Sequence, residues 1–318
     1  MPSHPHHHPA DPNLGDDGYA ADELPTAPNA LLHLKPGRLV NDVDEEIFLL
    51  YTLNAKSEHD GGLGYVNHSS DKIYVAIDGS KWSFALSDRN LSGKIVVPIY
   101  QDVTSLRSSK GNTGSVLWRS TIELAIRFHK GAIFDLALFK NASVLELGAG
   151  TGALPAMLSG LSKTWLATDQ QELLPLMRKN LDMHSRVKVA ALDWFDFLHP
   201  PSLHSALLRK KHILDHINPA STTRGRDDDD NDAAIQGVDV IICCDCIYNP
   251  GLFDALIATL NVFTHSQKTV VLVSCEMRSD ESLAEFLTKW KASDPDWVIV
   301  SLEERFEKGF VALAAWKH

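Results

Sequence analysis

From residue 142 onward, short apolar runs and longer stretches with apolar residues at helical spacing take turns along the chain. The runs 142–147, 164–168, 188–192, 238–244 and 269–274 read as buried strands, and 153–162, 171–184, 252–263 and 281–290 as helices. Strands separated by helices must be joined by right-handed crossovers, which gives a mainly parallel sheet covered on both faces, an α/β architecture. Two further runs, 297–302 and 310–316, have no helix between them and predict an antiparallel hairpin at the sheet edge.

The region before this alternation has a different character. Residues 1–40 read as a disordered tail, because the opening MPSHPHHHPADPNLGDDGYAADELPTAPNA is rich in Pro, His, Asp and Gly and poor in apolar side chains. Residues 41–107 read as a β-rich extension, with alternating Ile73, Val75, Ile77 and Ile95, Val97, Ile99 bounded by Asp78-Gly79 and Ser92-Gly93 as hairpin signals. The stretch 113–128 carries Leu117, Ile122, Leu124, Ala125 and Phe128 at helical spacing and opens the main domain, 108–318. At about 199–236 an insertion interrupts the rhythm: a short helix around 203–217, then the run Asp227 to Asp230, expected to be mobile and solvated.

Composition narrows the partners. With 30 Lys plus Arg against 41 Asp plus Glu the net charge is −11, which argues against nucleic acid and for a basic protein partner. No apolar stretch approaches the roughly 20 residues that cross a bilayer, and the first thirty residues lack the apolar block of a signal peptide, so no membrane role and a cytoplasmic location are expected. Cys243, Cys244, Cys246 and Cys275 all fall in buried strands or at their ends, where packed thiols are the expectation and the spacing does not suit zinc.

The chemistry concentrates at strand ends. Val144 to Pro155 runs from an apolar strand into a turn with Gly148, Gly150 and Gly152 and then a helix, a backbone that can approach a ligand closely. The third small residue of a dinucleotide fingerprint is present as Ala153, so this pattern alone leaves NAD open. Asp169 ends the second strand, where a carboxylate can accept both ribose hydroxyls or cap the helix that follows. Asp193-Trp194 closes the third strand, where Trp194 can pack on an adenine or in the core. Asp245 and Tyr248 follow the fourth strand and should face the same crevice as Gly148, because ligands of open α/β sheets sit beyond the carboxyl ends of the strands.

Taken together, VLELGAGTG, TDQQELLPLMRKN, Asp193-Trp194, the tetrad Asp245-Cys246-Ile247-Tyr248 and the TGSVLW segment ending in Trp118 resemble the seven-β-strand protein-lysine methyltransferases of methyltransferase family 16. The resemblance covers about residues 110–317. The extension and the insertion are similar to a fungal branch of that family acting on ribosomal lysines. It implies a Rossmann-like seven-stranded sheet, S-adenosylmethionine as cofactor, and a cofactor site on Trp118, Glu146, Gly148, Gly150, Gly152, Asp169, Trp194 and Asp245. It also implies a monomeric enzyme whose substrate is a protein of the large ribosomal subunit. Asp245 is expected to guide the incoming ammonium, and Tyr248 to shape the channel. Two other readings stay open: a methyltransferase acting on a small molecule or peptide N-terminus, and a cofactor-binding module without turnover.

Overall fold

The computed structural model describes residues 24–34, 37–53, 64–79, 81–87, 91, 95–106, 112–217, 237–302 and 308–318. The first part of the chain forms β1 (Arg38–Leu39), α1 (Val43–Leu53), β2 (Lys72–Asp78), β3 (Lys81–Ala85), β4 (Ile95–Tyr100) and the one-turn α2 (Val103–Leu106). Next come α3 (Arg119–His129), α4 (Leu136–Phe139), β5 (Ser143–Leu147), α5 (Ala153–Leu158), β6 (Thr164–Asp169), α6 (Leu174–Leu181) and β7 (Val187–Ala191). The remainder is α7 (Phe195–Leu198), α8 (Leu203–Leu214), β8 (Val240–Cys244), α9 (Phe253–Phe263), β9 (Val270–Glu276), α10 (Asp280–Ala292), β10 (Trp297–Ser301) and β11 (Phe310–Lys317).

One sheet in the order β1-β10-β11-β9-β8-β5-β6-β7 organises the molecule. The strands from β9 to β7 are mutually parallel, with Val144 opposite Trp165 on one side and Val240 on the other. β11 runs antiparallel between β9 and β10, as a helix-free connection requires. The chain leaves β5 toward β6 and β7, then returns to β8 on the opposite side of β5. Such a reversal leaves a crevice at the carboxyl ends of β5 and β8, where no crossover helix closes the gap. Successive residues of the buried strands face opposite layers. Val144 joins the core with α3, α5 and the small sheet, while Leu145 and Leu147 join the core with α9 and α10.

The sheet has one strand more than the seven expected. Two residues of β1 pair with Ser301 and Val300 of β10 and cover an edge that would otherwise offer unpaired backbone groups. The tail expected to reach residue 40 ends earlier among the described residues. Leu31 and Leu32 are buried, the Asp135 N–H donates to the Leu31 carbonyl, and Asn29 Nδ2 donates to the Lys268 carbonyl at 2.7 Å. The cause is the apolar LLHL segment, which gains more from burial than it loses in ordering. Residues 1–23 lie outside the described residues.

The extension is mixed rather than purely β. Asp42 accepts the Glu45 N–H at 3.0 Å and starts α1, whose Leu50 enters the core beside α10. The expected strands form a three-stranded sheet, β3-β2-β4, turning at Gly79, and send Ile73, Val75, Ile77 and Ile99 into the main core. In the insertion the expected short helix forms as α8, which opens with a capping box on Ser202 and buries Ala206, Ile213 and Leu214. Residues 218–236, with the aspartate run, lie outside the described residues. The helix expected from residue 113 begins at Arg119; Thr113–Ser115 is a single 3-10 turn, and Trp118 is extended. Among the described residues, no helix is long and apolar enough to cross a membrane.

Asn180 on α6 clamps the small sheet to the glycine turn. Its carboxamide accepts the Tyr100 N–H at 2.7 Å and donates to the Tyr100 and Thr151 carbonyls, both at 2.8 Å. Asn180→Ala strands these backbone groups, at roughly 1–3 kcal/mol for each one left unsatisfied. We expect a loss of about 2–4 kcal/mol in urea unfolding; a change below about 0.5 kcal/mol would show that the clamp is not needed.

Candidate active site

The crevice at the β5–β8 reversal is a cavity of about 860 Å³, within the usual range for small-ligand sites. Trp118, Glu146, Gly148, Gly150, Asp169, Trp194, Asp245 and Tyr248 all line it. Gly152 does not. It caps α5 from the left-handed region, and a Cβ there would lie 2.9 Å from Met177 and Leu181, so its glycine serves packing against α6.

Two of the glycines are dictated by close approach. Gly148 (φ 71°) turns the chain off β5, where a Cβ would meet Cys246 Sγ at 2.8 Å and the Trp194 ring at 3.1 Å. At Gly150 (φ 55°) a Cβ would stand 2.8 Å from the Gly114 carbonyl. The glycine turn is therefore wedged between the turn containing Thr113 and the Trp194 ring. Trp194 packs on the α9 core, one of its two expected places, and lines the cavity.

Two carboxylates converge at one end. Asp169 Oδ2 accepts the Gly150 N–H at 2.8 Å and Oδ1 the Gln170 N–H at 2.7 Å, so its side chain braces the glycine turn and does not cap α6. Burial raises Asp169 to about 6 in spite of these bonds. Glu146 takes a hydrogen bond from Trp165 Nε1 at 2.9 Å, and burial, reinforced by the Asp169 charge, raises it to about 8. Both groups are short of donors, as expected where a ligand with hydroxyl or ammonium groups completes the hydrogen bonding.

The other end is built around Asp245, which holds a left-handed backbone (φ 61°) that aspartate tolerates better than most residues. Its N–H donates to the Ser274 carbonyl at 2.7 Å, and its carboxylate is gripped by Arg278 through Nη1–Oδ1 at 2.8 Å and Nη2–Oδ2 at 2.7 Å. Arg278 also reaches Glu276 at 3.2 Å, and Glu276 meets Arg119 at 2.6 Å. Asp245 thus lines the cavity as expected, but as half of an ion pair and not as a free anion. Burial opposes the Arg278 charge, yet the bonds and charge from Asp245 outweigh it and raise the guanidinium further. The Arg278 guanidinium lies 5.1 Å from the Trp118 ring centroid, and Trp118 Nε1 donates to the Thr113 carbonyl at 2.8 Å. Tyr248, 43% exposed, accepts the Thr113 hydroxyl at 3.0 Å and ties the turn after β8 to the turn before Trp118.

Sequence reasoning missed Arg278, Glu276 and Arg119. The signal was present in Glu276-Met277-Arg278, two charges closing the apolar strand β9 at the same end as Asp245. The four cysteines are free and buried, and among the described residues no cluster of His, Cys, Asp or Glu suits a metal ion.

S-adenosylmethionine suits this lining. The cavity holds two buried carboxylates raised above their ordinary values, a flat indole beside the glycine turn, and a turn that a Cβ would obstruct. Comparison with known proteins agrees. The family described as lysine methyltransferase matches residues 101–208 and 206–293. A Schizosaccharomyces pombe protein named diaminohydroxyphosphoribosylamino-pyrimidine deaminase is 26% identical over 254 residues, 79% of this chain and 51% of its own length. The chain thus spans about half of that relative. Ribosomal lysine N-methyltransferase 5 of Candida glabrata is 26% identical over 260 residues, covering 60% of this chain and 68% of that one. Its namesake in Zygosaccharomyces rouxii is 26% identical, with coverage of 89% and 99%.

The raised Asp169 gives a pH test. A hydroxyl donates to the ionised carboxylate, so affinity for S-adenosylmethionine should fall as pH drops through about 6, approaching tenfold per unit below it. Glu146, raised to about 8, is already largely protonated there and does not contribute to the change. Calorimetry between pH 7 and 5 should show this slope, and Asp169→Asn should flatten it at lower affinity. A flat wild-type profile would separate Asp169 from the cofactor.

Proposed function

Because this chain belongs to the lysine methyltransferase family, we propose that it transfers a methyl group from S-adenosylmethionine to the side-chain amine of a lysine in a large-subunit ribosomal protein. The observation that carries the reading is the two-ended cavity, with Glu146, Asp169 and Trp194 suited to the nucleoside and Trp118, Asp245 and Tyr248 suited to the acceptor. The names of the Candida glabrata and Zygosaccharomyces rouxii relatives supply the ribosomal direction. A net charge of −11 suits a basic substrate protein, and a cytoplasmic monomer that makes no direct nucleic-acid contact goes with it.

When bound, the cofactor supplies an activated methyl on a sulfonium centre. The protein must deliver a neutral amine to it. A lysine at pH 7 needs roughly 4–5 kcal/mol to shed its proton, and a partly dry channel reduces that cost by disfavouring the ammonium. Trp118 offers a flat wall for the aliphatic stem, Tyr248 borders the channel, and the Asp245 carboxylate orients the nitrogen. Phe195 and Tyr248 line the cavity with 49% and 43% of their surfaces exposed, an opening that suits a side chain reaching in from a protein.

The test uses tritiated S-adenosylmethionine and large ribosomal subunits from Candida glabrata cells lacking ribosomal lysine N-methyltransferase 5. Label should appear as methyl-lysine after hydrolysis. Label confined to RNA or small molecules, or no label, would overturn the reading. Asp245→Asn should lower turnover on the order of 10²-fold, the scale of a misplaced reactant, with the S-adenosylmethionine affinity retained. Full turnover in that variant would remove Asp245 from the reaction.

A further inference from the structure

Asp245 reaches the cavity with most of its hydrogen-bonding capacity already engaged. Oδ1 accepts Arg278 Nη1 at 2.8 Å and the Glu276 N–H at 3.3 Å, and Oδ2 accepts Arg278 Nη2 at 2.7 Å. A carboxylate offers about four acceptor positions, so one remains, on Oδ2. Arg278 is itself fixed from two other directions, by Glu276 and by the face of Trp118.

We propose that Arg278 is a positioning residue which, by holding Asp245 as a two-point ion pair, makes the acceptor end of the cavity favour an uncharged amine over an ammonium. The inference rests on the lysine-methylation reading given above. An unpaired carboxylate beside an incoming lysine would hold the proton on its nitrogen and oppose the reaction. With the guanidinium locked against it, the field of Asp245 is largely cancelled and burial acts alone, which disfavours the charged amine. The open Oδ2 position can still accept one N–H, fixing the nitrogen while its lone pair stays free. The proton lost by the lysine passes to water at the open mouth.

The surrounding groups do not reverse this balance. Arg119 from α3 answers Glu276 from β9. Asp280 opens α10, two residues after Arg278 in sequence, and does not line the cavity. Burial raises the Cys244 thiol well above its ordinary value, a hydrogen bond with Cys243 together with burial does the same for Cys246, and burial raises Cys275 to about 12 and the Tyr248 hydroxyl as well, so these groups stay neutral around pH 7. Tyr65 lines the cavity beside Trp118, with ring centroids 6.2 Å apart, and His68 packs on Tyr65. Across the cavity, Glu146 and Asp169 face the nucleoside end and are common to every variant compared below.

The probe is n-pentylamine, labelled with ¹³C next to its nitrogen and bound to the full chain saturated with S-adenosylhomocysteine. The carbon shift reads the protonation of the bound amine directly, without turnover. In the wild type the amine should titrate at least about one pH unit, a tenfold change in proton affinity, below its free value. R278Q should bring the titration back to the free value or above, and R278K should recover most of the downward shift. D245N should lower it further, because the guanidinium then stands without its partner. A structural role for Arg278 would not move the two variants in opposite directions.

An R278Q titration equal to that of the wild type, or a wild-type amine titrating at or above its free value, would overturn the proposal. Should R278Q fail to unfold cooperatively, D245N decides alone, a downward move supporting the proposal and no move overturning it. If S-adenosylhomocysteine or pentylamine does not bind the wild type, the lysine-methylation reading falls and the proposal falls with it.

Discussion

The return of the chain across β5 is the constraint on which the other features depend. Because β6 and β8 leave β5 on opposite sides, the tips of β5 and β8 cannot be covered by the same crossover, and an open space remains there. Most polar groups of the site are attached to one of those tips or to a neighbour's: Glu146 and the glycine turn to β5, Asp169 to β6, Asp245 to β8, and Glu276 with Arg278 to β9. The strands bearing them are buried on both faces and cannot shift register without exposing apolar side chains. A rigid sheet thus fixes the spacing of charges that solvent would otherwise separate.

Within that space the two ends are handled in contrasting ways. At the end lined by Glu146 and Asp169, burial wins over local hydrogen bonding, and both carboxylates are pushed toward their neutral forms. At the end lined by Asp245, a guanidinium with good two-point geometry compensates its carboxylate. The first end meets burial with few bonds to its carboxylates; the second meets it with an opposite charge and keeps one acceptor position open, on Asp245 Oδ2.

Much of this was legible from residues alone. Strands such as Val144 to Leu147 and Val240 to Cys244 announce themselves as short apolar runs, since parallel strands covered on both faces have no polar side to disguise them. The grouping of Asp169, Trp194, Asp245 and Tyr248 followed from their places at strand ends, and Glu146 joined it through the resemblance that the motifs carry. What was not legible depends on tertiary context. Arg38 and Leu39 are too few to signal a strand and form one only because β10 presents an edge. Leu31 and Leu32 look like part of a polar tail until a surface exists to receive them. The bond between Asp245 and Arg278 joins residues 33 apart in sequence, and no local pattern reports such a pair.

The short strand β1 has a temporal consequence. Arg38 and Leu39 pair with Ser301 and Val300, and Lys291 donates to the Val40 and Asn41 carbonyls, both at 2.6 Å. An emerging polypeptide therefore has to wait until the ribosome has passed residue 301 before this seam can form. Contacts so distant in sequence are slow to establish, so the nascent chain carries its first helix without these partners for most of its synthesis.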